Sequence, residues 1–202
     1  ARVTRVDAVL FTHDHADHVH GIDDMRFLRK SLEAPPIPAF GTASTLEVLT
    51  QRFGYAFRQA EHGSGFLYRP FLEPHEIDYG AAFEAVGVGV MPYRQEHGFG
   101  SMTTGFRIGG MAYSTDVVEL PEESLALLGG LELWIVDCLR FEPHNTHANF
   151  DKAMGWIERL KPRHAVLTHL NHSIDYATLA ARCPAGVEPA YDGLVIEVAE
   201  PA

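Results

Sequence analysis

Residues 12–18 read Thr-His-Asp-His-Ala-Asp-His, and they follow the apolar run Val6–Thr12 (VDAVLFT) without a spacer. That run has strand length and β-branched content, so it reads as a buried β-strand. Four side chains able to hold a metal (His13, His15, Asp17 and His18) therefore sit within six residues at a strand end. A tight turn there splays them around two neighbouring points in space. Zinc-type ions accept imidazole nitrogen and carboxylate oxygen at roughly 2.0–2.2 Å, and the pattern predicts a metal centre. The competing reading is a polar loop with chance histidines. Alternating histidines followed by an Asp-His pair weigh against it.

Outward from this stretch, strand and helix patterns alternate. Gly21–Leu32 reads as a short helix. Ala43–Phe53 carries Leu46, Leu49 and Phe53 at helical spacing behind a Ser44 or Thr45 cap. Residues 54–79, rich in Gly, Pro, His and aromatics, read as loop with short strands. Phe83–Pro92 and Thr103–Ile108 read as strands, with Gly109-Gly110 turning into Met111–Thr115. Pro121 opens a helix through Leu128, and Leu133–Asp137 (LWIVD) is a buried strand. Phe150, Ala153, Met154, Ile157 and Leu160 recur at helical spacing, and Pro162 ends that helix. Ala165–Thr168 is a strand, Tyr176–Arg182 a helix and Leu194–Val198 a final strand. The alternation predicts a layered α/β (α+β) architecture in a single domain over residues 1–202.

Composition narrows the function. The chain has 202 residues, 46% of them apolar, enough for one substantial core. No apolar run approaches the ~18–20 residues of a membrane span, and the N-terminus lacks signal-peptide architecture. Two widely separated cysteines, Cys138 and Cys183, argue against a disulfide framework and for a reducing cytoplasm. The formal charge of −11 argues against a nucleic-acid partner, since phosphate-backbone binding rests on clustered Lys and Arg. Two bound divalent cations would offset four of those units. The compositional oddity is 12 histidines, the commonest side-chain metal ligand.

His13-Asp14-His15-Ala16-Asp17-His18 resembles the HxHxDH signature of the metallo-β-lactamase superfamily. The resemblance implies an αββα sandwich. It also implies two divalent ions, Zn first with Mn or Fe as the other options. One ion would be held by His13, His15, His97 and Asp116, the other by Asp17, His18, Asp116 and His169, with Asp116 bridging. His97 stands in Gln95-Glu96-His97-Gly98, Asp116 in Tyr113-Ser114-Thr115-Asp116 and His169 in Leu167-Thr168-His169-Leu170. Asp116 and His169 each end a predicted strand, as His13 does, and strand ends are where an α/β site is expected. Relatives have several strands ahead of the metal-binding strand, so the chain reads as lacking the family's first N-terminal strands.

The stretch from His97 through Thr104-Gly105-Phe106-Arg107-Ile108 to Asp116 is similar to the phosphodiesterase branch, which includes ribonuclease Z and phosphoribosyl cyclic phosphodiesterase. Gly21-Ile22-Asp23-Asp24-Met25-Arg26 and Pro189-Ala190-Tyr191-Asp192-Gly193 are similar to the latter. The implied substrate is a small, cyclic phosphodiester, hydrolysed by a water activated between two ions. In that branch a histidine at the place of His147 acts on the reacting phosphate or the leaving group, so His147 and Asp17 are the expected catalytic residues. Asp137 is expected to accept the second ring proton of His147.

His172 is read as a phosphate contact or an alternative final ligand, with His169 preferred because it lies nearer the strand end. His144 and Arg26 are further candidate substrate contacts. Asp23 and Asp24 fit a solvated first helical turn equally well. His20, His62, His75 and His164 read as surface or packing residues. A thioester or lactone hydrolase on the same metals is the alternative enzyme, and a non-catalytic metal-binding module the alternative outside enzymes. A homodimer is left open.

Overall fold

The apolar run before His13 forms less strand than its composition suggests. In the computed structural model, which describes residues 3–29, 34–58 and 70–198, only Val9–Leu10 (β1) joins a ladder. The described residues gather into two compact units, 1–78 with 83–88, and 79–82 with 89–202.

In the first unit, β1 pairs in parallel with β2 (Ile37–Gly41), which pairs in parallel with β3 (Leu72–Glu76). Val9 stands opposite Ala39 and Ile37 opposite Leu72. The central strand β2 was not expected from the sequence. Pro38 within it and Pro36 just before it argue against a ladder, but Ile37 donates to Phe71, and Ile37, Ala39 and Phe40 are buried. The core gathers Phe11, Ile22, Leu49, Phe57, Phe71 and Leu72.

The helix expected over Gly21–Leu32 is replaced by α1 (Ala16–Val19) and a 3₁₀ segment, His20–Arg26. Gly21 and the Asp23-Asp24 pair are poor α-formers, and the tighter winding suits a short piece. Leu32 lies outside the described residues. Helix α2 (Ala43–Arg52) forms as expected, but its cap is Thr42 rather than Ser44 or Thr45. Thr42 has the extended backbone a cap needs, and its Oγ1 accepts from the Thr45 N–H. Within residues 54–79, α3 (Gly54–Phe57) is helical and β3 is a strand, while 59–69 lie outside the described residues.

The strand expected over Phe83–Pro92 is cut in two. Val86 and Gly87 have φ of 52° and 84°, so the chain turns between β4 (Phe83–Ala85) and β5 (Val88–Glu96). In the second unit the order is β10-β9-β8-β7-β6-β5, where β6 is Met102–Ile108, β7 Met111–Ser114, β8 Leu133–Asp137, β9 His164–Thr168 and β10 Val187–Pro189. The pairs β5–β6 and β6–β7 are antiparallel, whereas β7 to β10 are parallel.

The parallel strands are linked by α4 (Glu122–Leu127), α5 (Phe150–Leu160) and α6 (Tyr176–Arg182). Parallel strands need such crossovers. Asn149 caps α5 by accepting from the Lys152 N–H at 3.2 Å, and Lys161 ends it in the left-handed conformation ahead of Pro162. Trp134, Val136, Leu167 and Leu179 are fully buried, with Phe150, Met154, Ile157 and Leu160 of α5 packed onto the same cluster.

The final strand expected at Leu194–Val198 does not form. Val187–Pro189 takes the ladder position instead, because Ala165 N–H donates to Gly186 and Ala190 N–H to Leu167 around the β9 edge. Val195 is left 75% exposed. No helix among the described residues is long and apolar enough to cross a membrane.

Cys138, just past β8, has no exposure, and burial beside Asp137 pushes its thiol up to about 12. Little of it is thiolate at pH 8, and the thiolate is the reactive form. In native protein at pH 8, a thiol reagent is expected to label Cys183 and leave Cys138 unmodified until the chain is unfolded. Native labelling of both at similar rates would contradict the burial.

Candidate metal centre

In the second unit the strand β7 ends at Ser114, and two residues later Asp116 adopts φ 54°. His169, directly after β9, adopts φ 61°. Non-glycine residues avoid this region, Asp and His less than most, and each such residue costs on the order of 1–3 kcal/mol. Both are strained where their parallel strands end.

Three imidazoles face the Asp116 carboxylate, itself 2% exposed. His97 Nε2 lies 3.6 Å from Oδ2, His147 Nε2 4.0 Å from Oδ2, and His169 Nε2 3.3 Å from Oδ1. The tautomers follow from the partners on the other ring nitrogen. His97 Nδ1 lies 2.8 Å from the Thr146 carbonyl, which only accepts, so Nδ1 carries the proton and Nε2 keeps its lone pair. This carbonyl-oriented imidazole is the usual arrangement of a metal-ligating histidine. His147 Nδ1 lies 2.9 Å from Asp137 Oδ2, an oxygen that also accepts from the Val117 N–H at 3.0 Å. His147 therefore donates through Nδ1 as well.

The rings of His147 and His169 stack at 4.7 Å, and His97 meets His147 edge-on at 4.8 Å. One ligand atom from each of Asp116, His147 and His169 lies within 4.8 Å of the others. Nitrogen and carboxylate donors without a thiol fit a borderline divalent ion such as Zn, and accommodate Mn or Fe.

Burial pushes the Asp137 carboxyl above its ordinary range, against the pull of the His147 hydrogen bond and charge and the Val117 N–H. Its Oδ1 has no hydrogen-bond partner. His144, with its ring 5.3 Å from that of His147, is held below the ordinary imidazole value, first by burial and then by the charges of His147 and Arg140.

In the first unit the HxHxDH stretch is itself a cluster. His13 is buried, with ring centroids of His15 and His18 each 4.5 Å away. Its Nδ1 lies 3.0 Å from Thr12 Oγ1, and His18 Nε2 lies 3.4 Å from Asp17 Oδ2. His15 and Asp17 are exposed.

The other expected residues divide. Arg26 ends the 3₁₀ segment with its guanidinium 5.3 Å above the Phe71 ring. Tyr55 donates to Asp23. His172 is exposed in the turn after His169 and shares no donor set with Asp116 among the described residues. His75 stacks on Phe40 at 5.0 Å, His164 pairs with Glu188 at 2.8 Å, His20 is exposed, and His62 lies outside the described residues. Missed in the sequence were Gln95 and Thr103, both fully buried, with Thr103 Oγ1 donating to the Asp116 carbonyl at 2.9 Å. The available signal was Tyr93, Gln95 and His97 at alternate positions, which puts all three on one strand face.

A family model described as the beta-lactamase superfamily domain matches residues 1–170. The chain belongs to the β-lactamase superfamily. Its fold class is the mixed α/β one of the metallo-β-lactamase proteins. Among solved structures it is similar to a diphosphatase from the PhnP family, with 31% identity and a TM-score of 0.86 over 98% of this chain and 74% of that one. It is 29% identical over 199 residues to an octanoyltransferase of Porphyromonas gingivalis, covering 96% of this chain and 38% of the relative. It is 31% identical over 112 residues to a ribonuclease Z of Mycobacterium bovis, covering 51% of this chain and 40% of the relative. The superfamily chain thus spans about two fifths of the length of these curated relatives.

Asp116→Ala removes the carboxylate that all three imidazoles face. Elemental analysis after loading with Zn²⁺ is expected to show the bound divalent ion sharply reduced against wild type, and undiminished metal content would contradict the centre.

Proposed function

We propose that this superfamily domain is a metal-dependent phosphodiester hydrolase acting on a small, cyclic phosphodiester in the cytoplasm. The observation that carries the reading is His147. Its Nδ1–H is donated to a fully buried carboxylate, and its Nε2 is turned toward Asp116. An imidazole oriented in this way suits proton delivery to a leaving alkoxide, because Asp137 stabilises the imidazolium and fixes the tautomer. Similarity to a diphosphatase over nearly the whole chain supports phosphorus as the centre attacked.

In this reading, which follows the family resemblance, His13, His15, His97 and Asp116 would hold one ion, and Asp17, His18, Asp116 and His169 the other. Zn is favoured, with Mn and Fe as alternatives. When bound, such a pair supplies neutralisation of the phosphoryl oxygens and a water of lowered pKa. The remaining work belongs to side chains. Asp116 turns Oδ2 toward His97 and Oδ1 toward His169, and His147 Nε2 would carry the proton to the leaving group. Asp17 is assigned to the ligands that surround the reacting water. His144, its protonation disfavoured, offers a neutral hydrogen bond to a phosphoryl oxygen. A net charge of −11 favours a small substrate over a polyanion. The similarity to an octanoyltransferase favours an acyl substrate as the second reading.

A panel of cyclic and linear phosphodiesters, thioesters and lactones separates the two. His147→Ala is expected to keep its metal content. On alkyl phosphodiesters its kcat is expected to fall by the ~10²–10⁴-fold of a lost general acid. The loss shrinks for nitrophenyl diesters, whose leaving group departs without a proton. Equal losses on both would remove His147 from the proton transfer, and a parallel loss of metal would make it a ligand. Turnover of thioesters alone would replace the phosphodiester reading.

A further inference from the structure

Asp116 can present its carboxylate in one direction only if its left-handed backbone is held, and two peptide planes determine that backbone. The plane before it carries the Thr115 carbonyl, which accepts from Gln95 Nε2 at 3.0 Å. The plane after it carries the Asp116 carbonyl and the Val117 N–H. The carbonyl accepts from Thr103 Oγ1 at 2.9 Å, and the N–H donates to Asp137 Oδ2 at 3.0 Å. Gln95 Nε2 also donates to Thr103 Oγ1 at 3.0 Å, which fixes the sense of that hydroxyl. The Thr115 hydroxyl closes the circuit on Asp116 Oδ1 at 2.9 Å. Because the Thr115 carbonyl only accepts, the orientation of the Gln95 amide is determined by chemistry.

Folding economy does not account for this glutamine. Gln95 is fully buried, and among the described residues its Oε1 has no hydrogen-bond partner. An apolar side chain of the same length would avoid burying that oxygen, at the expense of the two hydrogen bonds that Nε2 donates. The sheet also makes room for it. Gly105 stands opposite Tyr93, and a Cβ there would lie 2.1 Å from Tyr93 Cε2 and 2.7 Å from Gln95 Oε1.

We infer that Gln95 and Thr103 are positioning residues that aim the Asp116 carboxylate as a shared metal ligand, an inference that rests on the metal reading of Asp116 proposed above. They act through the two peptide planes and touch neither substrate nor ion.

The test compares Gln95→Met, Thr103→Val and Thr103→Ser with wild type. The readouts are Zn²⁺ stoichiometry and affinity by chelator competition, and the melting temperature of the metal-free chain. Gln95→Met and Thr103→Val keep the side-chain volume and are expected to melt within a few degrees of wild type. Their Zn²⁺ affinity is expected to be weaker by the ~10–100-fold typical of lost ligand-orienting partners, with one of the two ions lost first. Thr103→Ser, which retains the hydroxyl, is expected to bind as wild type does. Wild-type affinity in both apolar variants overturns the inference. So does a loss that follows only a collapse of the metal-free melting temperature. Should Gln95→Met fail to fold, the Val and Ser variants at position 103 decide alone. A wild-type chain that takes up no Zn²⁺ instead overturns the metal reading itself, a result distinct from equal binding by wild type and variants.

Discussion

Holding two carboxylates out of water is the constraint on which the second unit depends. Asp116 is 2% exposed and Asp137 not at all. A buried carboxylate is tolerated only when hydrogen bonds or opposite charge replace its water. The parallel ladder β7–β8–β9 meets that demand by bringing Asp116, Asp137 and His169 to the C-terminal ends of adjacent strands. There Val117 N–H, Thr115 Oγ1 and the imidazoles face the carboxylates. The same register that buries Trp134 and Val136 delivers Asp137 at the strand end. Packing and site geometry are thus set by one ladder.

The electrostatic consequence is an acidic centre awaiting positive charge. Burial holds the Asp137 carboxyl above its ordinary range, against the pull of the His147 hydrogen bond and charge. The ring of His147 lies within 5 Å of the rings of both His97 and His169. His97, whose Nδ1 donates to the Thr146 carbonyl, keeps the Nε2 lone pair that a divalent cation takes.

Much of the fold was legible where periodicity was strong. The helix Phe150–Leu160 and the strand Leu133–Asp137 lie where their patterns put them, because an amphipathic repeat and an LWIVD run each leave one way to bury apolar surface. Reading failed where the local pattern was neutral and a partner decided. Ile37–Gly41 became a central strand despite Pro38 within it and Pro36 just before it, since Phe71 and Leu72 offered a ladder. Leu194–Val198 stayed out of the sheet because Val187–Pro189 had already taken the β9 edge. Val86-Gly87 turned inside an apolar run that alternation alone would carry straight through.

The histidines and aspartates of residues 13–18, with Asp116 at the end of β7 and His169 at the end of β9, were visible in the amino-acid order. Ligand type and placement after an apolar run are local properties of a chain. Tertiary structure decided the rest. It determined that Arg26 packs on Phe71, that His172 faces solvent and that Asp137 accepts a hydrogen bond from His147 Nδ1. It also determined that Gln95 and Thr103, unremarkable in sequence, grip the peptide planes around Asp116. The physical reason is that hydrogen-bond partnership depends on strand register. Gln95 meets Thr103 and Thr115 only because β5, β6 and β7 are aligned as they are, and no local pattern along the chain records that alignment.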